Sequence, residues 1–149
     1  MIACRIAIVP RYVETDSSGI VAPERYLPWF EMGRAALLRE QGLDYRQFEA
    51  EGFWTPVLEV GLTFHEPAFY DDSLILITRL PSRPSFRIRV EYEVRRNGTL
   101  LASGFTVQGF VSRQGRPVRP PADFLTKLDH TFPRHVGETP VDQKSTAGP

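Results

Sequence analysis

The chain has 149 residues, enough for one domain with a sizeable apolar core. Apolar residues make up 42% and charged residues 24%, the balance of a globular protein rather than a disordered one. Formal net charge is zero, so no basic footprint invites nucleic acid, and no apolar run approaches the ~20 residues that cross a bilayer. Cys4 is the only cysteine. An internal disulfide is therefore excluded, and a lone cysteine is most often a buried structural thiol. The opening MIACRIAIVPRY is broken by Arg5 and by Pro10-Arg11, unlike a secretory leader, so a cytoplasmic protein is expected.

In chain order, residues 3–14 read as a first strand with Ile6 and Ile8 on one face. A tight turn follows at Asp16-Ser17-Ser18-Gly19. Tyr26, Trp29/Phe30, Gly33 and Leu37 recur at helical spacing, which predicts a main helix over 24–41, stopped by Gly42. Glu31, Arg34, Arg39 and Glu40 include its exposed positions. Pro28 is awkward within it, so either the regular helix begins near Leu27 or its first turn is irregular. Asp44 and Gln47 make a capping box for a short helix over 45–51, ended by Gly52. Four strands are then expected, over 56–65, 73–80, 86–95 and 99–112. The third alternates most cleanly: Phe86, Ile88, Val90, Tyr92 and Val94 on one face, charged residues on the other. Asn97-Gly98 is a hairpin turn. A two-residue turn there pairs Val94 with Leu101, Val90 with Phe105 and Ile88 with Val107. A last short helix is predicted over 122–128. One domain over 1–131 is expected, with a flexible tail over 132–149. Strand, long helix, then four closely connected strands specify an α+β fold.

Several residues admit a chemical and a structural reading. Asp16 is either an Asx-turn residue or a carboxylate base beside a helix start, where backbone N–H groups favour negative charge. Glu14 reads as a solvated strand-end charge. Glu31 and Arg34, three apart, read as a surface pair or a structural ion pair. Arg83, Arg87 and Arg89 suit phosphate oxygens, or form a solvated sheet face balanced by Glu91 and Glu93. His65 lacks the partners a metal site requires, and no metal is expected.

Three motifs in order carry a family resemblance. The first is Asp16, Gly19, Ile20-Val21, Tyr26, Trp29-Phe30-Glu31 and Arg34. The second is Pro67-Ala68-x-Tyr70-Asp71-Asp72. The third is Leu101-Ala102-x-Gly104 followed by Gly115-Arg116-Pro117. Together, over residues 5–128, they resemble the 4-hydroxybenzoyl-CoA thioesterase family. The resemblance implies a hotdog fold, an antiparallel sheet wrapped around one long central helix. It implies hydrolysis of an acyl-CoA, or acyl-carrier-protein, thioester without a cofactor. Asp16 then acts as general base or nucleophile, and the helix start at Glu24 and Arg25 stabilises the oxyanion. Many relatives carry histidine where this chain has Pro23, which also has no N–H, so Glu24 N–H is the substitute donor. Tyr26, Val57, His65, Arg83 and Arg87 are the expected substrate-binding residues. Val57 to His65 would come from the neighbouring subunit of a homodimer or homotetramer. A non-catalytic hotdog module that binds acyl-CoA is the alternative.

Overall fold

The computed structural model describes residues 1–130 and 132. Strand β1 (Ile2–Ile8) ends six residues short of the predicted limit. Pro10 has no N–H for the ladder, and residues Tyr12–Glu14 form a 3-10 turn instead. The Arg11 N–H donates to Glu14 Oε1 at 2.9 Å, so the Glu14 side chain folds back over its own turn. Helix α1 (Tyr26–Glu40) is entered through a separate 3-10 turn, Pro23–Arg25. Pro28 therefore lies in the first turn of α1, where an N–H has no intrahelical acceptor and its loss costs little. The irregular entry is the way the chain accommodates this proline. Helix α2 (Tyr45–Glu51) is capped by Asp44, which accepts from Arg46 N–H at 2.8 Å. The reciprocal half of the capping box is absent, because Gln47 donates to Glu51 instead.

Strands β2 (Phe53–Trp54), β3 (Val57–Phe64), β4 (Leu74–Leu80), β5 (Ile88–Arg96), β6 (Thr99–Gln108) and β7 (Val111–Ser112) follow, then helix α3 (Ala122–Leu128). The main sheet is antiparallel in the order β1-β4-β5-β6-β3. The predicted last strand is split. Its end, β7, leaves the main sheet and pairs with β2, a two-stranded piece the sequence pattern did not suggest. Phe86 is also outside β5 and exposed.

The Asn97-Gly98 hairpin forms, with Arg96 opposite Thr99, but its register differs from the predicted one. Val94 pairs with Ala102, Val90 with Thr106 and Ile88 with Gln108. A bulge at Leu101 shifts every later pair by one residue. The Leu101 carbonyl accepts from both His65 N–H and Glu66 N–H, at 2.8 and 3.1 Å, which ties the end of β3 to the bulge. The shift turns Phe105 outward, where the Arg89 guanidinium lies 4.0 Å from its ring centroid.

Helix α1 lies against β1 and β4 and buries Phe30, Leu37 and Leu38. Phe30 stacks on Tyr92 of β5 with ring centroids 4.2 Å apart. The approach is close at Gly33: a β-carbon there would lie 2.7 Å from Leu76 Cδ2 and nearer still to Thr78 Oγ1. Cys4 is buried and donates to Glu40 at 3.4 Å. Burial, then the Glu40 carboxylate, pushes its thiol pKa up, as fits a structural role. The tail expected over 132–149 lies outside the described residues, apart from Phe132. Among the described residues no helix is long and apolar enough to cross a membrane.

Candidate active site

The Asp16 turn is built as a small hairpin of its own. Gly19 N–H donates to Asp16 O at 3.0 Å, and Gly19 takes φ 81°, which a side chain would disfavour. Asp16 N–H donates to Ile20 O, Thr15 bridges to Val21, and Ile20 bridges to Phe69. The outgoing arm runs directly into Ala22-Pro23 and the entry of α1. The Asp16 carboxylate is exposed and accepts from the Ser18 hydroxyl and from Ser18 N–H at 2.8 Å. The hydroxyl bond, then the N–H bond, hold its carboxyl below the usual carboxylate range. Asp16 is thus an Asx-turn residue, and its ionised carboxylate is open to solvent.

Glu14 corrects the sequence reading. It is not a solvated charge but is 4% exposed, and Trp29 Nε1 donates to its Oε2 at 2.9 Å. Its Oε1 takes the Arg11 N–H and, at 3.3 Å, the Arg11 Nε. Ala22 N–H donates to the Glu14 carbonyl at 3.0 Å. Burial acts to raise the Glu14 pKa, but the Arg11 and Trp29 donors together outweigh it and the net shift is downward. Glu14 therefore pins both arms of the Asp16 turn to α1. A signal was present in the sequence: a core indole requires an acceptor, and Glu14 is the acidic residue just before the turn that leads into the helix.

At the helix entry the backbone donors are partly committed. Pro23 has none, Arg25 N–H donates to Ala22 O at 3.0 Å, and Tyr26 N–H donates to Pro23 O. Of the two residues expected to supply an oxyanion donor, Arg25 is engaged. Glu24 N–H makes no hydrogen bond among the described residues.

The remaining expected site residues are dispersed. Tyr26 is 2% exposed, its ring 4.9 Å from that of Trp29 and 5.2 Å from that of Phe64, so it is a core residue. Val57 is exposed on β3 and faces a cleft of about 250 Å³ between α1 and β3. His65, just past β3, lies 3.3 Å from Ser103 Oγ. Arg83 is held by Asp129 at 3.0 Å, at the end of α3. Arg87 is exposed just before β5. Arg34 departs from the expected surface or ion pair: it is 6% exposed and bonds two tyrosine hydroxyls rather than Glu31. The helical period held this signal too, since Arg34 lies four residues after Phe30 and three before Leu37, both fully buried. No metal-binding group of His, Cys, Asp and Glu occurs among the described residues.

Known proteins resemble this chain in sequence and fold. The chain is 32% identical over 84 residues to a Bacillus subtilis (strain 168) protein named "Putative acyl-CoA thioesterase YneP", covering 56% of this chain and 61% of that protein's length. The crystal structure of TT1821 from Thermus thermophilus superposes with a TM-score of 0.80 at 36% identity, covering 86% of this chain and 96% of that one. The DHNA-CoA thioesterase of Staphylococcus aureus superposes with a TM-score of 0.77 at 27% identity, covering 89% and 85%. The sheet laid over α1 is the hotdog arrangement expected from the motifs. With its family model matched across residues 10–128, the chain belongs to the Thioesterase-like superfamily.

Proposed function

We propose that the protein hydrolyses an acyl-CoA or acyl-carrier-protein thioester, with Asp16 as the reacting carboxylate. The observation that carries this is an exposed carboxylate in a turn pinned to the helix entry through Glu14 and Trp29. The superfamily, and the relatives named as thioesterases, support the chemistry. In the general-base route Asp16 takes a proton from water as its oxygen attacks the thioester carbonyl. The tetrahedral oxyanion then collapses, the C–S bond breaks, and thiolate leaves and takes up a proton. In the nucleophilic route Asp16 attacks the thioester carbonyl first, the C–S bond breaks and thiolate leaves, and water then cleaves the resulting mixed anhydride to free acid and Asp16. Both routes require a donor for the oxyanion, and Glu24 N–H is the one left unspent at the helix entry.

The site is completed by a second copy of the chain. Strand β3 is an edge, and Val57, Leu58, Val60 and Phe64 stand exposed along it. An eight-residue apolar edge is the sort of strand that pairs with another chain. Dimerisation there brings one subunit's β3 toward the other's Asp16 loop.

Free-thiol release from short, long and aromatic acyl-CoAs tests the reading. Asp16→Asn lowers kcat by at least about 100-fold with folding intact, a typical loss for a missing general base. Equal turnover in the variant removes Asp16 from the chemistry. The alternative of a non-catalytic binding module has one observation in its favour: Pro23 and Arg25 leave few donors at the helix entry. Saturable acyl-CoA binding without thiol release, for every chain type, decides for it.

A further inference from the structure

Arg34 is a buried cation without a buried anion. Its Nε donates to Tyr45 Oη at 2.8 Å and its Nη1 to Tyr92 Oη at 3.1 Å. Tyr92 Oη in turn shares a 2.7 Å hydrogen bond with Thr106 Oγ1. These bonds use two of the five N–H donors of a guanidinium that stays protonated at every working pH. Phenol hydroxyls orient the group but do not neutralise it. Among the described residues Arg34 forms no ion pair with any carboxylate. A buried charge normally has its counter-charge beside it, because desolvation is otherwise uncompensated.

The same side chain lines the cleft of about 250 Å³ between α1 and β3. Leu27, Val57 and Val60 make its apolar walls, Thr106 lies beside Arg34, and Glu31 is the other charged residue lining it, exposed to solvent. The polar cluster behind Arg34 is incomplete as well. Gln108 Nε2 donates to Thr55 O at 3.1 Å, but among the described residues Gln108 Oε1 and Thr55 Oγ1 are buried with no partner. An apolar-walled cleft with Arg34, a cation paired to no carboxylate among the described residues, in its lining fits a short hydrocarbon segment that ends in a carboxylate.

We propose that the α1–β3 cleft is the acyl subsite, and that Arg34 selects acyl groups bearing a carboxylate at the end remote from the thioester. This rests on the hydrolase reading above, but its test does not depend on turnover. Two non-hydrolysable CoA thioethers of equal chain length are titrated calorimetrically, one ending in carboxylate and one in methyl. The carboxylate ligand binds the wild-type protein at least ten-fold more tightly. Arg34→Met abolishes that preference, and Arg34→Lys, which keeps the charge but loses the planar fork, retains part of it. Equal affinities in the wild type overturn the proposal; that is the outcome if Glu31, or a carboxylate of a second copy, supplies the missing charge. An undiminished preference in folded Arg34→Met also overturns it, since the anion is then read elsewhere. Should Arg34→Met fail to fold, the wild-type pair and Arg34→Lys decide. Absence of thiol release from every thioester defeats the hydrolase reading alone.

Discussion

Glu14 and Asp16 are two residues apart and behave as opposites. One carboxylate is sunk under α1 and carries indole and backbone donors; the other faces solvent and is held chiefly by Ser18. If Glu14 positions the turn, Trp29→Phe strands Glu14 Oε2 in a buried site. The expected cost is roughly 1–3 kcal/mol of stability. Steady-state kinetics should show kcat falling more than KM rises, because the turn moves relative to the helix entry. Acid sensitivity follows from the same group. A carboxylate whose folded pKa is depressed adds stability that is fully present above its unfolded value of about 4.3 and is lost as pH falls through the folded value. For Asp16 the lowered pKa keeps the carboxylate proposed as base ionised below the ordinary carboxylate range. Ser18→Ala removes the larger of the bonds responsible, so the acid limb of the pH–rate profile should move upward. An unmoved limb would show that another group sets it.

The elements show how far sequence pattern reaches. Alternation located β5 and helical spacing located α1, because one buried face imposes a period. The Asn97-Gly98 turn was equally legible, yet the bulge at Leu101 three residues beyond was not, since nothing in an apolar Leu100-Leu101 pair says which residue is skipped. The split between β6 and β7 was hidden for a related reason: Phe110, beyond the break, packs on Phe53 and Phe124 in a core no single strand reveals. At the candidate site Asp16 and Pro23 were readable, whereas the burial of Glu14 and Arg34 was only hinted at, by an indole that needs an acceptor and by the helical period, and their partners are set by tertiary neighbours. Gly33 belongs to this scale, because it sets the distance between α1 and the sheet. Gly33→Ala is expected to destabilise by about 1–3 kcal/mol, as overpacking does. Chemical denaturation measures it. A neutral or stabilising result would mean Leu76 and Thr78 yield without cost.

For the molecule as a whole, the exposed side of β3 is the feature that calls for a partner. Val60→Arg places a charge on that edge and is expected to shift sedimentation from dimer or tetramer to monomer. Thiol release should fall with it if the second copy completes the site. A monomeric variant with full activity would locate the whole site within one chain.

The sheet order has a further consequence, in time rather than space. Ile2 pairs with Leu80, and Phe30 stacks on Tyr92, so β1 and α1 leave the ribosome well before the strands that receive them. At about 5–20 residues per second, several seconds pass between the end of α1 at Glu40 and the end of β6 at Gln108. Until β4 and β5 emerge, Phe30, Leu37 and Leu38 have no complete sheet to cover them. The β5–β6 hairpin, by contrast, closes as soon as it is made. A nascent chain of this protein is therefore most exposed to aggregation, and to chaperone capture, through its first third.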